Sequence, residues 1–556
     1  MKKFYIIVFT LMALLAMPFG CKDISSSENL FPLTPANVDA NAGTWKTILL
    51  ISANQISIPD PAVTTQQATY LTELEAIKDA QSKLTADQKR TIEYWSVGGV
   101  LRWNQLFRKL VAQFNLPPVP NVDGSYPFPD SENPFSNPQF PFANPPYAAR
   151  AYSYVHVAMY DALLAAWYYK NLYKSSRPDS PYEVDNAIQS LMPKVDLPPY
   201  PSEEATMSGA VSEMLKVLFP TAVEEITKLA ADQRNAVKWA GKATDTDIAA
   251  GLALGKAVAT LITANSTGTF TLSGASGAKT INLSLTLASR GRFRTDNLGA
   301  AVGSAASWKA LADAAIAKGE TPWISLEVPP RPPMLPGFGT VKVWGDPGGA
   351  TPKADNITPV LIIASERPVA PPSTTSEEMK RQLAEVKSYA KNVTRSQISI
   401  VHKWADGAGT YTPPGHWNDI AEEYIRDAKF SEVRAARAFA LLNMAFHNAA
   451  VACWETKYFY FNPRPGQLDG SIKTTTGVPN FPAYTSGHST ISAAAAAVLS
   501  YLFPQNTHYF NDQAKEASNS RLYGAIHFRA DIEMGFSHGS KIGSYTVNFA
   551  QTDGAN

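Results

Sequence analysis

Cysteine is nearly absent: Cys21 and Cys453 are the only two in 556 residues, too few for a disulfide framework. Charge of one sign is lacking too, since 49 lysines and arginines meet 48 aspartates and glutamates for a net charge of +1. Nucleic-acid binders concentrate a basic surplus on one face, so this balance offers no electrostatic case for DNA or RNA. Beyond the first twenty residues there is no uninterrupted apolar run of membrane-spanning length, and the mature protein is expected to be soluble. What is present is a 45% hydrophobic composition and 41 prolines. That supports a large core, in two to four domain-sized units or one helical body, with long irregular connections.

The chain opens MKKFYIIVFTLMALLAMPFGCKD. Two lysines, an apolar stretch from Phe4 to Met17 and Gly20 before Cys21 predict a secretory signal over 1–20. The Gly20–Cys21 step resembles a bacterial lipobox, although Pro18 and Phe19 fit that pattern poorly. An ordinary signal peptide or an uncleaved anchor is the alternative. The expectation is export to the periplasm or outer envelope, with lipidated Cys21 as the only membrane attachment. A lipidated Cys21 leaves Cys453 without a disulfide partner.

Residues 21–60, rich in Ser, Asn and Pro, read as a tether. An N-terminal helical bundle is expected over 61–320, a Pro-rich connection over 321–374 and a C-terminal, catalytic helical bundle over 375–556. Helical patterns run through 65–115, 146–172, 202–219, 222–265, 375–404, 417–460, 488–503 and 512–549. The Thr/Gly/Ser alternation of 266–286 predicts a short hairpin or loop.

The chain also repeats itself. AARAYSYVHVAMYDALLAAWYYK (148–170) aligns without a gap with AARAFALLNMAFHNAAVACWETK (435–457). Six residues after each closing lysine comes Arg-Pro, at Arg177-Pro178 and Arg464-Pro465. LPPYPSEEATMSGAVSEMLKVLFP (197–220) then matches FPAYTSGHSTISAAAAAVLSYLFP (481–504), and Asp247, Gly251 and Gly255 match Asp531, Gly535 and Gly539. Four pairings in one order predict an internal duplication: an all-α fold of two related helical bundles. The copies differ in polar residues, because Glu203-Glu204 stands for Gly487-His488, Val237 for Arg521 and Ala243 for His527. That contrast places chemistry in the second copy.

Within FPAYTSGHST, Ser486 or Ser489 is a candidate N-cap, and a helix N-terminus presents free N–H groups to an anion. Lys457, Arg464 and Arg521 supply a point charge and two planar forks. Ser486 and the Gly487 N–H add donors, and glycine lets the backbone come close. Three cations around one small volume repel one another unless an anion joins them, so a tetrahedral, phosphate-like oxyanion is the expected ligand. His527 precedes Asp531 by four, one helical face, so the carboxylate can hold one ring nitrogen and free the other. His488 on the turn suits proton transfer.

K-x6-R-P, S-G-H and S-R-x5-H-x3-D resemble the three-part signature of the type 2 phosphatidic acid phosphatase (PAP2) and vanadium haloperoxidase superfamily. The motifs occupy 457–531, and similarity to the soluble, chloroperoxidase-like members extends over roughly 146–545. Thr485 stands where the family usually has proline. The resemblance implies vanadate as cofactor, with His527 as the residue bonded to the metal, or as the phosphorylated nucleophile in phosphatase relatives. It implies Lys457, Arg464, Ser486, Gly487 and Arg521 as oxyanion partners and His488 as the acid–base residue. Asp406 resembles an acidic residue that pairs with the arginine matching Arg521; a loop Asp capping a turn before Gly407 is the alternative. Trp454 and Phe481 match aromatic positions beside a halide pocket, though both also suit a core. His416 and Trp417 are candidates for the entrance.

Three functions follow as expectations. The first is a haloperoxidase taking hydrogen peroxide, halide and a small organic acceptor. The second is an acid phosphatase cleaving phosphate monoesters through a phosphohistidine, and the third a noncatalytic envelope lipoprotein that binds a ligand or partner.

Overall fold

The five longest helical patterns in the sequence are cut where the chain supplies a stop. The computed structural model describes residues 30–61, 67–116, 122, 145–179, 188–263, 268–274, 277–283, 305–328, 330, 333–345 and 361–555. The expected signal and Cys21 lie outside them. The first pattern yields α1 (Gln67–Ser82), α2 (Ala86–Trp95) and α3 (Gly99–Phe114). Thr85 and Gln88 form a capping box that starts α2, and Gly98 at φ +120° breaks the chain before α3. α4 (Pro145–Tyr173), α5 (Glu203–Leu218), α6 (Val223–Trp239) and α7 (Asp245–Thr263) follow, then the hairpin β1 (Gly268–Gly274) and β2 (Gly277–Leu283), then α8 (Ala305–Ala317). The second half holds α9 (Glu377–Asn392), α10 (Arg395–Lys403), α11 (Thr412–Asp427), α12 (Glu432–Tyr460), the single turn α13 (Pro465–Leu468), α14 (Gly487–Leu502), α15 (Thr507–Tyr523) and α16 (Arg529–Ala550). A Thr394–Gln397 capping box and the Ser431 cap make the breaks that periodicity alone does not reveal. Apart from the one hairpin, the regular elements among the described residues are helices.

α4 and α12, 29 residues each, pack against each other as the central pair. Both are buried on nearly every side, as expected of helices apolar all round. α5 and α7 pack together beside α4, and α14 and α16 beside α12. α7 is long and apolar enough to cross a membrane by length and composition, but Gly251, Leu254, Gly255 and Val258 are buried. A Cβ on Gly255 would lie 2.0 Å from the Thr206 carbonyl oxygen of α5, which explains the glycine.

One hydrophobic cluster runs through both halves. Residues 30–60 differ from the tether expected of them. Trp45, Ile48, Leu50, Ile56 and Ile58 are buried in that cluster, and the N–H groups of Ile48, Leu49 and Leu50 donate to Asp161 of α4. Apolar side chains at 45, 48, 50, 56 and 58 are what that stretch buries. The described parts of 321–374 lie over α12: Trp323 N–H donates to the Phe461 carbonyl, and Trp344 N–H to Asn448 Oδ1.

The runs α4–α7 and α12–α16 match in local detail. Lys174 and Phe461 end the long helices at φ +50° and +51°. Ser202 and Ser486 cap α5 and α14, and their N–H groups donate to the Asp247 and Asp531 carbonyls. Thr244 and Phe528 N–H donate to the carboxylates of the same two aspartates. Gly539 meets the Thr490 carbonyl as closely as Gly255 meets Thr206.

Candidate functional site

Three elements of the second half bring the predicted residues together: the end of α12 with its αL exit, the turn before α14, and the α15–α16 turn. Lys457, on the last turn of α12, donates from Nζ to the Pro482 and Ala483 carbonyls at 2.8 and 2.9 Å. Arg464 donates from Nε to the Phe481 carbonyl at 3.0 Å, and from Nη1 to the Ile526 carbonyl at 2.9 Å and His527 Nε2 at 2.8 Å. Its Nη2 is buried without a hydrogen-bond partner. Arg521, on the last turn of α15, donates to Ser520 Oγ and the Val401 carbonyl at 2.8 and 3.2 Å. All three cations are buried, and burial pushes each down from its ordinary pKa. Lys457 falls to about 7, helped by Arg464, and Arg464 to about 9, helped by Arg521.

His527 does not sit on a helix as its spacing to Asp531 suggested. It lies in the turn before α16, and Asp531 on the first turn of α16 reaches back to it. His527 Nδ1 donates to Asp531 Oδ2 at 2.9 Å, and the same oxygen accepts the Phe528 N–H. A guanidinium can only donate, so Nε2 is the unprotonated nitrogen and carries a lone pair toward Arg464. Burial, then Arg464 and Lys457, hold the imidazole well below its ordinary pKa. Burial raises the Asp531 carboxyl to about 6, against the pull of the Phe528 N–H and the two cations.

Ser486 is the N-cap of α14, its Oγ accepting from Ser489 N–H at 3.4 Å. Gly487 begins the helix, with Trp454 3.7 Å from where a Cβ would be. His488 follows, its Nε2 buried, without a hydrogen-bond partner and 3.9 Å from Asp406 Oδ2. Burial and then Arg521 lower it well below the ordinary histidine value. Asp406, at φ +45°, accepts from His416 Nδ1 at 3.1 Å and is the carboxylate that most favours the charge on Arg521. Trp454 and Phe481 have ring centroids 5.0 Å apart. Lys457 Nζ and Arg464 Cζ each lie 4.9 Å from the Phe481 ring, so the aromatics flank the cations. Trp417 is not at an entrance: it is buried and donates to Ser492 Oγ, tying α11 to α14.

The arrangement suits an anion. Three buried cations share two nearby carboxylates, Asp531 and Asp406, and the orphaned Arg464 Nη2 needs an acceptor. Among the described residues no group of three or more His, Cys, Asp and Glu is placed to hold a metal ion. An oxyanion of a metal needs no such group; cations, N–H donors and one histidine lone pair fit it. Residue patterns did not reveal the carbonyls of 481–483 that aim Lys457 and Arg464, because backbone acceptors leave no signature in a sequence.

Residues 437–554 match the model of the PAP2 superfamily, a segment that contains every cradle residue named above except Asp406. The chain is similar in fold to vanadium-dependent haloperoxidases. One is the structure described as the first bacterial vanadium-dependent iodoperoxidase, with 21% identity over 73% of this chain and 91% of that one, at a TM-score of 0.47. Another is a holo-type bacterial vanadium-dependent chloroperoxidase, with 12% identity over 77% of this chain and 97% of that one, at a TM-score of 0.45. No curated protein matches the chain.

Proposed function

We propose that this chain is a vanadate-dependent haloperoxidase, and the observation that carries the reading is the buried, under-neutralised cradle of Lys457, Arg464 and Arg521 around the His527 lone pair. Vanadate, when bound, supplies the electrophilic centre at which hydrogen peroxide becomes able to oxidise halide to hypohalous acid. Lys457, Arg464 and Arg521 balance the charge of its oxygens, with the Ser486 hydroxyl and Gly487 N–H completing the donor set. His527 Nε2 is the protein's bond to the metal, held in its tautomer by Asp531. His488 takes and returns the proton of the incoming peroxide. Trp454 and Phe481 keep water from the halide. The α4–α7 run is a duplicated copy that serves as scaffold. The chain is exported and anchored through Cys21.

A second reading draws on the PAP2 match over the site: an acid phosphatase, with His527 Nε2 as nucleophile and His488 protonating the leaving alcohol. One preparation separates them. A haloperoxidase is inactive as apoprotein, halogenates monochlorodimedone once vanadate and hydrogen peroxide are added, and loses that gain in excess phosphate. Fast p-nitrophenyl phosphate hydrolysis, with vanadate only inhibiting, establishes the phosphatase instead. Neither activity, with the protein folded, leaves the noncatalytic binder.

A further inference from the structure

His416 stands outside the cradle, yet its contacts converge on it. Its ring lies on Trp404 at 4.3 Å and 19°, and its Nδ1 reaches both oxygens of Asp406, at 3.1 and 3.3 Å. Asp406 thus has His416 on one side, with Nε2 of His488 and the Arg521 charge as its other neighbours. The loop between them is held in an unfavourable backbone. Asp406 lies at φ +45° and the β-branched Thr412 at φ +67°, a conformation that persists only where the surroundings impose it. Asn115, buried at the end of α3, imposes it by donating to the Gly407 and Thr410 carbonyls, both at 2.9 Å, and accepting from Gly409 N–H. α11, which carries His416, is itself fixed through Asn418, bonded to Asn443 of α12 at 2.8 Å.

A loop carboxylate is free to turn its plane unless something holds it. The His416 N–H is that hold. We propose that His416 is a positioning residue, keeping the Asp406 carboxylate turned toward Nε2 of His488, where it meets the positive charge that His488 takes up in acid–base work. The inference rests on the reading of His488 as the acid–base group.

Two substitutions split the ring from its donor. His416→Phe keeps the stack on Trp404 and loses the N–H; His416→Asn loses the ring and keeps a donor near the Nδ1 position. His416→Phe is expected to lower kcat by about 10- to 100-fold while sulfate affinity, measured by calorimetry, stays within about twofold, and His416→Asn to recover most of the loss. Long-range 1H–15N spectra of the His488 imidazole, taken without vanadate, give a readout free of turnover. The His488 signals should move in His416→Phe and in Asp406→Asn and stay in place in His416→Asn. If the wild type shows neither halide oxidation nor ester hydrolysis, the functional reading fails while the spectra still decide the positioning. Unmoved His488 signals in His416→Phe, or sulfate affinity falling in step with kcat, would overturn the proposal.

Discussion

Lys170 and Lys457 stand at the same point of two helices of equal length, and each donates to a proline carbonyl, of Pro198 and Pro482. The contrast lies in what else they meet. Lys170 Nζ is 2.7 Å from Glu203 Oε2, Lys242 is paired with both Glu203 and Glu204, and Arg177 with Asp179. Lys457 and Arg464 have carbonyls and a neutral histidine in those places. The first region has polar groups of its own and has closed them into ion pairs, with the Glu203 carboxylate where the second region has only Gly487. A cation cluster with its own carboxylates has nothing to offer an external anion. One with fewer carboxylates than cations remains costly until an anion arrives.

The sharpest way to break this comparison is to remove one side chain from each half. His488→Ala should cost about 10²–10⁴ in rate, the worth of a placed acid–base group, while Glu204→Ala leaves turnover near wild type. A collapse of activity in Glu204→Ala with an unchanged melting curve would mean that the first half holds chemistry of its own. His527→Ala should lower vanadate affinity by a comparable number of decades, because cations and hydrogen bonds alone then hold the anion. Equilibrium dialysis checks this, and unchanged binding would sink the assignment of His527.

Stability should respond the other way round. Glu203→Gln leaves Lys170 buried beside a neutral amide and Lys242 with Glu204 alone, and breaking a buried pair costs about 3–5 kcal/mol. Denaturant unfolding measures it, with turnover at saturating substrate unaffected. If Glu203→Gln is as stable as wild type, the carboxylate is not the counterion described here.

The difference between the halves was half legible in the sequence. The repeated helices, the Ser caps and the glycines that admit a neighbouring carbonyl are written in residue types whose spacing is local, so alignment finds them. The cradle was legible for the same reason, since its motifs mark three helix ends. Lys242 was not, because its alignment partner, Ile526, carries no chemistry, and only the fold shows it beside Glu203. The burial of Trp45 to Ile58 was hidden likewise: a segment without periodicity gives no sign that it fills a groove. A spacing of four fits one helical face, whereas Asp531 stands on the first turn of α16 and reaches back to a histidine that precedes the helix.

The smallest effect is a slope, and it tests the charge argument directly. Lys457 is pushed down to about 7 by burial and by Arg464, and a bound anion restores its charge. Below about pH 7 the ammonium is already charged, so binding an anion there takes up no proton. Above that value the free site carries the neutral amine, binding must take up a proton, and affinity falls as pH rises, by up to about tenfold per unit. His488 and His527 are both held well below the ordinary histidine range, so they do not titrate in this window. Sulfate is the suitable probe, since its own charge is constant between pH 6 and 9. Calorimetry should therefore show wild-type affinity declining from about pH 7 to about pH 8, the window between the Asp531 carboxyl at about 6 and the Arg464 guanidinium at about 9. In Lys457→Met, binding should be weaker at pH 7 and close to level between pH 7 and 8. An equal slope in the two proteins would assign the proton to another group, and a level wild-type profile would mean that Lys457 keeps its charge without an anion.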